Sequence, residues 1–257
     1  MSSGQAAAGR YAAQIANRHW GEGAQRALGE AAVFIVGAGA LGSVAAAYLA
    51  AAGVGRLAIV DGGTIAPEDL HRQILYLTPE IGMSKADSLA AKLALLNPEV
   101  HADPFPADLT ADNAELILEG AGCVLDCGSD AAVRLLVNDA CVASGTPFST
   151  VGTAGFDAAV LTVLPGRTAC CRCIGEDAGD GSDFGLPRRT EAGVFGPPAG
   201  AAASLQALAA IGLLTGALDP RAGVLLRLRG DALEWTARPI TRRPDCSCAN
   251  GEGDGNL

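Results

Sequence analysis

Aromatic side chains are scarce in this 257-residue chain: six Phe, three Tyr and two Trp make up 4% of it. A core must therefore be filled by small and branched aliphatic residues. The 49% hydrophobic fraction supplies enough of them to exclude low-hydrophobicity disorder for most of the chain. Histidine is rarer still, and the spacing of His19, His71 and His101 makes no metal set. No block of Lys or Arg occurs. The net charge of −10 repels a phosphate backbone, which argues against a nucleic-acid partner. Met1–Arg10 is small and polar, without the basic start and apolar run of a secretory leader. The one long apolar segment, Ala199–Leu218, is about a bilayer thickness in length, but it is Ala-rich, carries Ser204 and Gln206, and suits a buried core helix. These absences predict a soluble, cytoplasmic protein with no membrane partner.

Cysteine, by contrast, is plentiful. Cys123, Cys127 and Cys141 lie in apolar stretches, whereas Cys170, Cys171, Cys173, Cys246 and Cys248 form two tight clusters. Paired clusters in a chain without a secretory signal favour a metal in a reducing compartment over disulfides. Four thiolates make a closed tetrahedral Zn²⁺ site that contributes folding energy and leaves no open catalytic position. The natural set is Cys170, Cys173, Cys246 and Cys248; Cys171 is spare, or substitutes for Cys170.

Ala13–Ala27 reads as a weakly amphipathic helix. Ala31–Val36 is an apolar strand, followed by Gly37-Ala38-Gly39-Ala40-Leu41-Gly42, a helical stretch to about Ala52, and a second strand, Leu57–Val60, ending at Asp61. Further strands are expected at Val100–Phe105, Cys123–Asp126, Pro147–Ser149 and Ala158–Val163. Helices are expected at Ser84–Leu96, Asp112–Glu119 and Ala131–Ser144. The alternation predicts an α/β fold: a doubly wound, mostly parallel Rossmann-like sheet. Val224–Arg229 and Ala232–Ala237 then add a C-terminal antiparallel meander beside the four-cysteine zinc site. The expected organisation is a helical segment at 1–30 and a nucleotide-binding α/β domain at 31–165. A crossover loop, core helix, zinc site and meander follow at 166–248 in the same compact body, then a disordered tail at 249–257. Gly175–Gly196 is polar and too long for a packed connection, so it reads as a functional or mobile loop.

The glycine motif has mechanical content. Gly37 permits a tight turn, Gly39 lets backbone approach a phosphate, and Gly42 allows close helix–strand packing, with helix N–H groups facing the anion. Asp61, at the end of the next strand, is placed to accept from ribose hydroxyls. The motif by itself does not choose between a dinucleotide and ATP. Arg72, Gln73 and Lys85 follow on the carboxyl-end side of that strand, where Arg offers a planar fork and Lys a point charge to phosphate oxygens. Asp126 and Asp130 flank Cys127-Gly128-Ser129 at another strand end, where carboxylates can hold Mg²⁺; Asp130 is equally well placed to cap the following helix.

Further short motifs run in order: Arg10-Tyr11 with Gln14-Ile15, Ala52-Gly53-Val54-Gly55, Leu70-His71-Arg72-Gln73, Gly82-Met83-Ser84-Lys85, Asn97-Pro98, Glu191-Ala192-Gly193-Val194 and Ser204-Leu205-Gln206-Ala207. Together with the glycine motif, Asp61 and both cysteine clusters, this set resembles the ThiF/MoeB/HesA family, bacterial relatives of ubiquitin-activating enzymes, from about Arg10 to Cys248. The resemblance implies a homodimeric nucleotidyltransferase that binds ATP and Mg²⁺. It would adenylate the C-terminal glycine carboxylate of a small ubiquitin-like sulfur-carrier protein, or a peptide C-terminus, and release pyrophosphate. Arg72, Lys85 and Asp130 would be the catalytic residues. Gly37, Gly39, Gly42, Asp61, Gln73 and Asp126 would help to hold the nucleotide.

Three positions depart from the family pattern. Ala13 stands where an Arg reaches the nucleotide of the partner subunit. Ser129 stands at the metal-linked Asp, with Asp130 one place later. The second cysteine cluster is Cys-x-Cys. The alternative reading is therefore a catalytically impaired member that acts as a nucleotide- or partner-binding scaffold. A nicotinamide-dependent oxidoreductase is disfavoured, because it gives the cysteine clusters and the Arg72/Lys85 pair no role. Gly175–Gly196 holds no thiol, which argues against a covalent cysteine intermediate there.

Overall fold

The computed structural model describes residues 9–174, 184, 186 and 192–249. Eight strands form one sheet: β1 (Ala32–Val36), β2 (Arg56–Val60), β3 (His101–Phe105), β4 (Cys123–Asp126), β5 (Phe148–Ala154), β6 (Asp157–Val163), β7 (Val224–Arg229) and β8 (Glu234–Pro239). Their spatial order is β3-β2-β1-β4-β5-β6-β7-β8. The first five strands are parallel, and β6, β7 and β8 continue the sheet antiparallel. This is the expected doubly wound sheet with a terminal meander. Pro104 sits in the edge strand β3, where its missing N–H costs no ladder bond.

Strands β1, β2 and β4 are apolar over most of their length because both faces are covered, and their period of two divides the core. Val33 and Ile35 of β1, Leu57 and Ile59 of β2, and Cys123 and Leu125 of β4 enter one cluster. Phe34, Val36, Ala58, Val60 and Val124 enter the other. The first face packs against α2 (Gly21–Glu30), α3 (Gly42–Ala52), α4 (Lys85–Leu96) and the long α8 (Gly196–Thr215). The second packs against α5 (Ala114–Leu118), α6 (Ala131–Ser144) and the cysteine region around α7 (Cys171–Ile174). By length and composition α8 is apolar enough to cross a membrane. It lies instead on α2, α3 and β4–β6, burying Ala199, Ala202, Ala203, Ala207 and Ala210. Small side chains at helical spacing let it approach the sheet closely.

Three expected elements change. The helix read over Ala13–Ala27 is broken into α1 (Ala12–Ile15) and α2, because the Asn17 side chain takes the His19 N–H at 3.0 Å and Gly21 adopts φ +68°. Far from separate, this region is sewn to α3: Gln14 and Gln25 both donate to the Ala52 carbonyl at 3.0 Å. Strand β5 runs on from Ser149 to Ala154, since its antiparallel partner β6 extends the ladder to the Ala154–Asp157 pair across a tight Gly155-Phe156 turn. Strand β8 is shifted two residues later than expected by its register with β7. Of the long Gly175–Gly196 loop, Phe184, Leu186 and 192–196 are described. The two arginines at 188 and 189 and the tail beyond 249 lie outside the described residues.

Candidate nucleotide site and cysteine cluster

The strand order reverses between β1 and β4, and the connections leaving them diverge to opposite faces. That opens a crevice beyond their carboxyl ends, the place where ligands bind in such sheets. Gly37 leaves β1 with φ +96°, its N–H donating to Val60 O at 2.8 Å. Cys127, Gly128 and Ser129 leave β4 opposite it. A Cβ on Gly37 would lie 3.0 Å from the Cys127 carbonyl carbon, and one on Gly42 only 1.8 Å from Gly37 O. At Gly39 the nearest atom would be Gln73 Nε2 at 3.6 Å, so the space there is open. Two glycines thus serve the turn itself, and the third leaves room beside it.

Asp61 ends β2 and ties this turn: Oδ2 accepts from Ala38 N at 2.6 Å and Oδ1 from Gly63 N at 2.7 Å. Gly63 O in turn receives the Lys85 N–H at 3.0 Å, and Ser84 caps α4 by accepting from Asp87 N, so Lys85 begins the helix facing the crevice. Arg72 and Gln73 come from the turn after the 3₁₀ segment Pro67–Asp69. The resulting cavity, of about 210 Å³, brings together Gly37, Gly39, Asp61, Arg72, Gln73 and Lys85. Its volume is below the roughly 300–1,000 Å³ of enclosed small-molecule pockets, so it closes only part of a nucleotide.

The residue that organises these groups is Asp69, to which sequence reasoning assigned no role. Its side chain is 7% exposed, and the carboxylate accepts from Arg72 at 2.8 Å, Gln73 at 2.7 Å and Ala66 N at 3.2 Å, with Lys85 Nζ at 2.9 Å. Burial opposes its ionisation, but the Lys85 hydrogen bond, the Ala66 amide and the two cations outweigh that and hold the carboxyl below its ordinary value. The i, i+3 spacing from Arg72 was the available signal. Buried Tyr76 braces the glycine turn, donating to Ala38 O at 2.7 Å.

The two other acidic candidates are placed differently. Asp126 is fully buried and does not line the cavity: it accepts from Thr150 at 2.6 Å and Gly128 N at 3.1 Å, and pairs with the buried Arg134 at 3.3 Å. Burial pushes its carboxyl upward against the pull of Arg134. Strand β4 thus directs Asp126 toward α6 and Arg134 rather than into the cavity. Asp130 is exposed at the N-cap of α6, accepting from Ala132 N at 2.7 Å, so the capping role is the one observed. Gln206 of α8 was noted only as part of a motif. It donates to Asp126 O at 3.0 Å and Ser149 O at 2.8 Å, clamping the ends of β4 and β5. Cys127 borders the cavity, but burial, and then the Asp126 charge, raise its thiol well above the ordinary value. Ala13 lies exposed on α1, and the three histidines are exposed.

The cysteine clusters meet on the opposite face of the sheet. The sulfurs of Cys170, Cys173, Cys246 and Cys248 all lie within 4.8 Å of one another, with Cys170–Cys246 at 3.6 Å and Cys173–Cys248 at 3.5 Å. A tetrahedron of sulfurs about 2.3 Å from a central ion has edges of about 3.8 Å, so the set fits a metal. All four are buried, and Arg243 N donates to Cys173 Sγ at 3.5 Å. Cys171 is not in the set: it is fully buried in the core with its N–H bound to Asn138 Oδ1 at 2.9 Å.

Comparison with known proteins agrees with this geometry. Residues 11–249 match the ThiF family. The sulfur carrier protein ThiS adenylyltransferase of Escherichia coli (strain K12) is 35% identical over 196 residues, 75% of each chain. The sulfur carrier protein adenylyltransferase of Thermus thermophilus is 37% identical over 202 residues, 76% of this chain and 73% of that one. Protein HesA of Leptolyngbya boryana is 34% identical over 193 residues, 75% and 68% respectively. Among solved structures, E. coli MccB with MccA-N7isoASN has a TM-score of 0.83 at 21% identity, covering 97% of this chain and 76% of that one. E. coli MccB with ATP has a TM-score of 0.78 at 21% identity, covering 89% and 69%. At that identity the structures speak for the fold; the family match over nearly the whole chain and the relatives above 30% speak for more, and this chain belongs to the ThiF family.

Proposed function

We propose that the chain is an ATP-dependent adenylyltransferase that activates the C-terminal carboxylate of a small ubiquitin-like sulfur-carrier protein or of a peptide. The observation that carries this reading is the pair Arg72 and Lys85, held 2.8 and 2.9 Å from one buried carboxylate over an open glycine turn at the sheet's switch point. Relatives named as adenylyltransferases of sulfur carrier proteins support it.

A carboxylate oxygen of the partner attacks the α-phosphorus. The bond from that phosphorus to the bridging oxygen breaks, pyrophosphate leaves with the electron pair, and the acyl-adenylate remains. The protein need supply little covalent help, so catalysis rests on position and charge. The N–H groups of the Gly37–Gly42 turn and the start of α3 receive the phosphates. Arg72 and Lys85 offset charge that grows on the leaving group. Asp61 retains lone pairs for ribose hydroxyls. Mg²⁺ bound to the nucleotide would neutralise phosphate charge, and Ser129, which lines the cavity, and Asp130 beside it would offer it oxygen ligands. Zn²⁺ in the four-thiolate set would be closed to substrate and would serve the fold, tying α7 to the end of the chain. The activity belongs to a homodimer in a reducing compartment such as the cytoplasm.

The scaffold alternative draws on Ala13 and on the commitment of Asp130 to its helix cap. ATP–pyrophosphate exchange separates the two. With a small carrier protein ending in Gly-Gly, wild type exchanges label and Lys85→Ala and Arg72→Ala lose that exchange. ATP binding without partner-dependent exchange would establish the scaffold, and a larger stabilisation by NAD than by ATP would restore the oxidoreductase.

A further inference from the structure

Strand β4 pairs with β5 only as far as Asp126 and Thr150, but β5 runs on to Ala154. Four residues carry it about 13 Å past that last pair, as a wall beside the crevice. Val151 enters the first core cluster, so by alternation Thr153 faces the same side. There it lines the cavity with Cys127, Gly128 and Ser129. Thr153 is 6% exposed, and among the described residues no hydrogen bond engages its hydroxyl. The donors around it are committed or missing. Cys127 Sγ is bonded to Gln206 Oε1 at 3.2 Å, and Gly128 N donates to Asp126 Oδ1 at 3.1 Å. Helix α8 starts beside Arg72, where a Cβ on Gly196 would lie 3.4 Å from Arg72 Cα, yet Pro197 and Pro198 remove two of the amides that a helix start presents. The fold itself has no need of the hydroxyl, since Val suits a strand as well as Thr does.

Place assigns that hydroxyl a ligand. Lys85 is held from the β2 side, through the Gly63 carbonyl, and the sheet order β2-β1-β4-β5 sets Thr153 three strands away, at about 4.8 Å per strand. In-line displacement at phosphorus needs the attacking and leaving oxygens on opposite sides. With pyrophosphate leaving toward Arg72 and Lys85, the attacking carboxylate enters from the β5 side. Resting on the adenylyltransferase reading above, we infer that Thr153 positions the partner's terminal carboxylate for attack. Its O–H donates to the oxygen that does not attack, which turns the other oxygen toward the α-phosphorus. No proton changes hands. The attacking oxygen becomes the bridge to phosphorus, and the held oxygen becomes the carbonyl oxygen of the acyl-adenylate and keeps its hydrogen bond. Thr153 is accordingly a substrate-positioning residue that acts on the acyl group and not on the nucleotide.

Calorimetric titration with ATP in excess Mg²⁺, with sulfamoyladenosine and with its N-glycylglycyl derivative tests this, because the last carries the acyl group beside an uncleavable stand-in for the phosphate. Wild type binds the glycylglycyl compound about tenfold or more tightly than sulfamoyladenosine. Thr153→Val, which keeps the shape of the side chain, loses about tenfold on the glycylglycyl compound alone. Thr153→Ser restores that affinity, and ATP binds all three proteins alike. A Thr153→Val protein that keeps the glycylglycyl increment leaves the hydroxyl to solvent and overturns the inference. So does one that loses ATP to the same degree, which would place the hydroxyl on the nucleotide. A wild type that binds ATP but gains nothing from the glycylglycyl group overturns it whether or not the variants fold, and leaves the nucleotide site standing. A wild type that binds none of the three ligands removes the adenylyltransferase reading, and this role with it.

Discussion

Alanine replacements at Gly37, Gly39 and Gly42 should dissociate folding from ligand binding within six residues. A Cβ on Gly42 would stand 1.8 Å from Gly37 O and 3.0 Å from Ile35 Cγ2, so α3 must move away from β1. Overpacking that displaces backbone costs about 3 kcal/mol or more. In a chain of this size that lowers Tm by about 6–12 °C. At Gly37 the φ of +96° and the 3.0 Å approach to Cys127 combine, and a left-handed conformation alone costs an L-residue about 1–2 kcal/mol. Gly39 differs in kind. Its φ is not positive and nothing lies nearer to a Cβ than Gln73 Nε2 at 3.6 Å, so Gly39→Ala should leave Tm unchanged or raise it slightly by stiffening the unfolded chain. That methyl would occupy the side from which a phosphate approaches. ATP with Mg²⁺ at about 100 times its Kd stabilises wild type by about 2.7 kcal/mol, or about 5–11 °C. Thermal scans with and without ATP should therefore show Gly42→Ala unstable, and Gly39→Ala stable but unresponsive. A Gly39→Ala protein with the full ATP shift, or a Gly42→Ala protein with the wild-type Tm, would refute the division of labour.

Three further outcomes are expected. Cys173→Ser and Cys248→Ser should each release the metal and lower Tm while Cys171→Ser retains it, measured by metal analysis and by X-ray absorption showing sulfur ligands near 2.3 Å; a fully folded metal-free native protein would exclude the site. Arg134→Met leaves Asp126 buried without its partner and should cost about 3–5 kcal/mol near neutral pH. Since the native Asp126 carboxyl titrates above its ordinary value, protonation relieves that loss, so the penalty read by urea unfolding should shrink as pH falls, and a pH-independent penalty would count against the pairing. Burial raises Cys123 and Cys127 and pushes Cys141 to about 12, so none should be alkylated in the native state near pH 7 or carry a thioester after turnover. Mass spectrometry of such an adduct on Cys127 would overturn this.

What the sequence determined by itself is whatever local chemistry enforces. The run Ala32–Val36, the glycines and the strand ending at Asp61 specify a strand, a turn and a parallel partner, because period and φ are properties of neighbouring residues. The two cysteine pairs implied one cluster across about seventy residues, since four thiolates with one use can be counted without knowing the path between them. Tertiary structure decided which carboxylate does what. Asp126 and Asp130 looked alike in sequence, yet strand alternation sends the first into the core against Arg134, while the second, four residues on, caps α6 in solvent. Asp69 gathers Arg72, Gln73 and Lys85 only because the Thr64–Ser84 bridge and the Gly63 carbonyl bring the start of α4 back beside the Pro67–Asp69 turn. Gln206 clamps β4 and β5 only because α8 crosses them. The strength of each such pairing depends on burial and on a distance of a few ångströms between residues far apart in the chain, and neither quantity exists until the chain has folded.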